Sequence, residues 1–240
     1  MAFSTGSMTQ KANNNSGEKS ESRFVNPSED KQVTLRILDK EAFTYYRYWF
    51  KVNVGKMNAD GNPIMEGRPV IAGYDSPLRA YMKKLEEENA SHPRFAKPTR
   101  RFVLNVLERV KLDDDEMPTE NVEDNVVRIW EFGPQIADQL TLLNGKQRSR
   151  RDYKVKLYVN EFDLQLIASG KAMEKRVQVQ PAICEDPIPD NLRKLPRYNL
   201  AEKYRPFPNE AIQELIDGVD YNDVVKRYGL NEYPTYLPED

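Results

Sequence analysis

The run Phe43-Thr44-Tyr45-Tyr46-Arg47-Tyr48-Trp49-Phe50-Lys51-Val52-Asn53-Val54 constrains the fold more than any other stretch of the chain. Aromatic and β-branched side chains suit a pleated, half-buried surface and lose rotamer freedom in a helix, so this run predicts a strand. Successive side chains then point to opposite faces. The even positions Tyr46, Tyr48, Phe50, Val52 and Val54 make an apolar face that belongs in a core. The odd positions Tyr45, Arg47, Trp49 and Lys51 are expected to face outward, alternating ring and cation. Rings displayed between cations fit a ligand that is flat and anionic.

The neighbouring segments extend this pattern. Strands are expected at Val33 to Leu38, Lys97 to Arg109, Asn125 to Phe132, Tyr153 to Val159, Phe162 to Ala168 and Lys175 to Gln180. Asn58-Ala59-Asp60-Gly61-Asn62-Pro63 is a loop of the kind that closes a hairpin. Two helices interrupt the strands. Ser76-Pro77 reads as an N-cap and first helical position before Leu78 to Asn89, and Gly133-Pro134 opens an amphipathic helix ending at Asn144-Gly145. Residues 1–30, rich in Ser, Asn, Gly, Lys and Glu, carry too little apolar surface to offset ordering entropy and read as a disordered arm. Residues 31–190 are the β-rich domain. Residues 191–240 hold a Pro-rich strap (Pro196, Pro206, Pro208), a helix from Asn209 stopped by Gly218, a second from Tyr221 to Tyr228 ended by Gly229, and a short acidic tail. No internal repeat is evident. Because the strands do not alternate regularly with helices, the expected fold is mainly β with α: a partly open antiparallel barrel with inserted helices and a small helical C-terminal segment.

The formal charge of −2 conceals a segregation. Residues 113–124 hold seven acids and no base, and without them residues 31–190 carry 26 bases against 18 acids. The excess is clustered. Arg94, Lys97, Arg100, Arg101, Arg109 and Lys111 stand against Glu108 alone, and Lys146, Arg148, Arg150, Arg151, Lys154 and Lys156 stand against Asp152 alone. Alternation puts Arg128, Trp130 and Phe132 on one face of their strand, opposite Val127 and Ile129. It also puts Lys154, Lys156 and Tyr158 outward, with Val155, Leu157 and Val159 inward. Three strands with basic and aromatic residues on one face describe a stacking platform in a positive groove, the means by which single-stranded nucleic acid is held without sequence preference. Duplex DNA would hide its base faces from the rings. The competing reading is two solvated faces, with some rings, Trp130 and Phe132 foremost, in the core.

The order of basic strand (Lys97-Pro98-Thr99-Arg100-Arg101-Phe102-Val103-Leu104-Asn105-Val106), acidic gap, Val127-Arg128-Ile129-Trp130-Glu131-Phe132-Gly133, helix from Pro134, and Phe162-Asp163-Leu164-Gln165-Leu166 resembles the bacteriophage single-stranded DNA-binding proteins of the T-even helix-destabilising type. The resemblance spans roughly residues 31 to 190. It implies an OB-type fold and sequence-tolerant, cooperative coating of single strands in phage DNA replication, recombination and repair, in the cytoplasm of the host cell. Lys97, Arg100 and Arg101 match the basic strand of that family's cleft, and Trp130 matches its aromatic before the helix. The chain departs from the family in three ways. Pro69 to Pro93 has no Cys and only His92, so the structural zinc is not expected; no basic Lys/Arg-Ser/Thr motif marks the arm; and the acidic tail shrinks to Glu239-Asp240. Partners implied are single-stranded DNA, self-association along it, and replication or recombination proteins through residues 209–240, where Asp217, Asp220 and Asp223 offer an acidic face or a merely solvated one.

Other functions are less well supported by the residues. One Cys (Cys184) excludes an intramolecular disulfide, one His makes His-based acid–base chemistry a poor expectation, and no phosphate loop or nucleophile motif is present. No cofactor and no enzymatic activity are therefore expected. No run of about 18 apolar residues exists, so no membrane partner is expected either. Two alternatives stay open: a protein-interaction factor, such as a transcription regulator, built on an OB-like module, and an Mg²⁺-dependent nuclease using a pair such as Glu161 and Asp163. The acidic residues 113–124 are either a shield for the groove or a solvated linker.

Overall fold

A computed structural model describes residues 23–28, 32–109, 111–112, 117–118, 125–149, 152, 154–170, 175–182 and 188–238. The N-terminal arm before Arg23, nearly all of the acidic stretch 113–124, Arg150, Arg151, Cys184 and Glu239-Asp240 lie outside these. β1 (Val33–Ile37) and β2 (Phe43–Met57) run as their composition dictates, and β3 (Pro63–Ile71) follows. The β2–β3 turn is organised by Asn58, whose Oδ1 accepts the backbone N–H groups of Asp60 (3.0 Å) and Asn62 (2.9 Å), while Gly61 takes the left-handed φ of 77°. The hairpin expected at Asn58 to Pro63 forms with β3 as its second strand, although the residues of β3 did not themselves read as a strand. Pro63, Gly67 and Pro69 weaken the strand signal, and they are tolerated because β3 is an edge strand.

Helix α1 (Pro77–Asn89) follows, with the Ser76 hydroxyl accepting from Arg79 N and Pro77 in the first turn. The central strand β4 (Thr99–Arg109) leads through the two-residue ladder β5 (Lys111–Leu112) and β6 (Met117–Pro118) to β7 (Val126–Phe132). Helix α2 (Pro134–Leu143) opens at Gly133-Pro134 as expected. The strand expected at Tyr153 to Val159 reduces to β9 (Lys156–Leu157), paired with β8 (Gln147–Arg148), and Val155 is exposed rather than inward. β10 (Leu164–Ser169) and β11 (Arg176–Pro181) form the last long hairpin. Beyond it come α3 (Asp190–Arg193), β12 (Arg197–Tyr198), α4 (Leu200–Lys203), α5 (Asn209–Ile216), α6 (Tyr221–Arg227) and β13 (Thr235–Tyr236), with α5 and α6 followed by the left-handed glycines Gly218 and Gly229. Among the described residues no helix is long and apolar enough to cross a membrane.

The fold is mainly β, and its main sheet is antiparallel, seven-stranded and forked at β4. Phe102 and Val103 pair with both β2 and β7, and Val106 to Glu108 pair with both β1 and β7. β1 and β2 therefore share one edge of β4, and β7 takes the other. The wings β2–β3 and β1–β10–β11 diverge from there, and the sheet does not close.

One sheet face carries two apolar clusters. Tyr48, Phe50, Val52 and Val70 pack against α1, α5 and α6 through Leu78, Met82, Ile212, Leu215 and Val224. Leu35, Leu104, Val106, Trp130, Phe132, Leu164 and Leu166 pack with Leu140 of α2. The opposite face is covered by the strap, through Leu200 and Tyr204 on Tyr45, Val103 and Ile129, and through Ile188 and Leu192 on Leu107. Residues 191–240 thus share their cores with the sheet. Asn105, buried in β4, fastens the strap: its Oδ1 accepts from Tyr198 N (2.9 Å) and its Nδ2 donates to Tyr198 O (3.1 Å). Arg94 ties α5 down by donating to the carbonyls of Leu215 and Ile216 (both 3.1 Å) at the helix's negative end.

Candidate nucleic-acid interface

Between the two helix-covered clusters a strip of the same sheet face stays open. Register places Tyr46 of β2 directly opposite Arg100 of β4, and Thr44 opposite Phe102. Paired residues share a face. Tyr46 is 52% exposed, Arg100 is exposed, and the Arg100 guanidinium stands 4.7 Å from the Phe102 ring centroid. Phe102 in turn stacks on buried Phe132 (5.8 Å, 10° between planes), which fixes its ring. The strip opens beside α1 into a groove of about 1200 Å³ whose lining includes Tyr46, Tyr74, Asp75, Arg79, Lys83, Glu86 and Lys97. Arg79 lies 3.6 Å from the centroid of the Tyr74 ring, which is 76% exposed. With Arg100, four cations and two carboxylates line this surface, and two tyrosine rings stand open in it.

The expected site residues separate under this geometry. Lys97 and Arg100 lie on the groove and its strip. Tyr45 does not face outward: it is 6% exposed, its ring 4.8 Å from that of Tyr204, because the strap covers the odd face of β2 at that point. Burial first, and the Glu131 carboxylate second, push its hydroxyl well above the ordinary tyrosine range. Trp130 shares a strand face with Phe132, as alternation requires, but α2 packs over that face and leaves Trp130 3% exposed. Arg47 and Arg101 both donate to Glu131 Oε1 (2.7 and 3.0 Å), and Arg128 is paired with Glu108. These three arginines are half-buried or nearly buried rather than free on a platform. Trp49 and Lys51 are exposed, yet on the face opposite the groove. Lys154, Lys156 and Tyr158 are exposed on and beside the β8–β9 hairpin, whose Leu157 and Val159 pack with the α2 cluster. The single platform expected from three strands is therefore three separate surfaces.

Tyr46, Tyr74, Arg79 and Lys83 were not expected in the site. Tyr46 follows the core alternation of β2 but lies beyond the reach of the helices that bury Tyr48 and Phe50. Tyr74 carried a legible signal, a lone aromatic in the Gly73-Tyr74-Asp75-Ser76 turn before a helix cap. The Glu161 and Asp163 pair does not assemble as a metal site. Both precede β10, Glu161 accepts from Tyr158 N (2.7 Å), and buried Asp163 is held by Arg36 Nε (2.6 Å). Among the described residues no group of three or more His, Cys, Asp and Glu is placed to hold a metal ion. No protein-family model matches the chain, and no curated protein matches it.

Proposed function

We propose that this protein binds single-stranded DNA without sequence preference, along the strip and groove between α1 and α2, and coats such strands in phage replication, recombination and repair. One observation carries the reading: the Tyr46–Arg100 cross-strand pair, ring beside cation, stands open on a sheet face whose flanks on both sides are buried under helices. Water gains nothing from such a display. A base stacked on Tyr46 or Tyr74 would contribute about 1–3 kcal/mol, and Arg79, Lys83, Lys97 and Arg100 would neutralise phosphates and release counterions. An antiparallel sheet that forks at β4 and does not close supports the reading of an OB-like barrel left open at one seam.

The test is a fluorescein–oligo-dT titration followed by anisotropy, with duplex of equal charge as competitor. Wild-type protein is expected to prefer the single strand. Tyr46→Ala should weaken binding by about 5- to 150-fold at any salt, the equivalent of one lost base stack. Equal affinity for duplex, or an unchanged Tyr46→Ala, would overturn the assignment.

A further inference from the structure

Alternation along β2 sends Trp49 to the side of the sheet away from the groove, and its surroundings there are organised. Its indole is seated on the backbone of Gly67, where a methyl group would come within 2.2 Å of Nε1. A glycine is needed for that approach. The indole is nevertheless 60% exposed, so most of the ring remains open to solvent. The Arg47 guanidinium stands 5.8 Å from its centroid, and Lys51 is exposed on the same face of the strand. Arg47 and Arg101 share one oxygen of Glu131, leaving two guanidiniums on a single carboxylate, with side chains only 23% and 22% exposed. Partial burial of a net positive charge strengthens its attraction for an anion relative to a fully solvated one.

We infer that this face is a second station for single-stranded nucleic acid, distinct from the groove. Trp49 takes the base, while Arg47, Arg101 and Lys51 take the adjoining phosphates. Because the sheet itself separates the two surfaces, nucleotides in the groove are not those on Trp49, and each protein molecule holds two strand segments at once. The ligand class rests on the single-strand reading above; the location does not.

The station has its own spectroscopic reporter, since Trp130 is buried and Trp49 is the exposed one of the two tryptophans. The full chain is titrated with oligo-dT short enough to fill one station, about 4 nucleotides. Tryptophan emission should be quenched, and the quenching should persist at an unchanged midpoint in Tyr46→Ala/Arg100→Ala. Trp49→Ala should lower the number of oligonucleotides bound per protein from two to one while keeping the anisotropy signal of the groove. Absence of quenching in the wild type, quenching lost together with groove binding, or a stoichiometry that Trp49→Ala leaves unchanged would each overturn the second station. Failure of the groove is separately visible as Tyr46→Ala/Arg100→Ala binding with wild-type stoichiometry and affinity.

Discussion

Arg94 and Arg100 belong to one basic stretch and have opposite employment. Arg94 donates to Lys51 O (3.2 Å), Leu215 O and Ile216 O, and its guanidinium lies 4.6 Å from the Phe50 ring centroid. It donates to the last carbonyls of α5, of which Leu215 O also accepts from Gly218 N (3.4 Å). Arg100 touches the Phe102 ring and stands in solvent. Charge counting treats the two alike, and only the packing of α5 against the β2 region distinguishes them. Arg94→Ala should therefore cost about 1.5–3 kcal/mol in urea unfolding, with the oligonucleotide salt slope unchanged. Arg100→Ala should leave stability within about 0.5 kcal/mol and flatten the log–log salt slope by about 0.7. Reversed effects would mean that the roles assigned to the two side chains are wrong.

At the scale of elements, local chemistry was legible at four helix boundaries that a side chain or a glycine decides, though not at Asn199, whose side chain caps α4 inside the expected strap. Ser76-Pro77, Gly133-Pro134, Gly218 and Gly229 start or stop helices where their backbone preferences require. Strand β3 was not legible, since an edge strand tolerates the prolines that argue against strand elsewhere. Nor was the joint between β4 and the strap, which depends on residues distant in sequence. Asp39 Oδ2 accepts from Asn105 N (2.6 Å), and Arg197 lies 3.6 Å from its Oδ1. Burial outweighs both and raises the Asp39 carboxyl above its ordinary 3.8. A carboxyl raised on folding binds its proton more tightly in the native state, so its contribution to stability is full below pH 3.8 and is lost as pH rises through the elevated value. Asp39→Asn should remove this component: across that window wild-type stability should fall relative to the variant. Parallel stability–pH curves for the two proteins would refute it.

For the whole molecule, the period-2 pattern correctly separated the two sides of β2 and β7 but could not say which side a distant element would cover. Both sides of β2 are covered over part of their length, by α5 and α6 on one and by the strap on the other, so Tyr45 is buried and Tyr46 open. Trp130 is placed by α2 in the same way. The charge excess of the domain was likewise legible in sign but not in place. Part of it is consumed inside the fold, where Asp163 (0% exposed) meets Arg36 Nε at 2.6 Å and Arg109 Nε at 3.5 Å, joining β1, β4 and the start of β10. Two guanidiniums enclosed with a carboxylate are tolerable only while the carboxylate is there. Asp163→Asn keeps shape and removes the charge, and should destabilise by about 3–5 kcal/mol, read as a lower urea midpoint at unchanged m. A triple replacement, Arg36→Met/Arg109→Met/Asp163→Leu, removes these three charges together and should retain more stability than the single change. A single variant as stable as wild type, or a triple variant less stable than the single, would show that this cluster does not tie β1 and β10 to β4 through its charges.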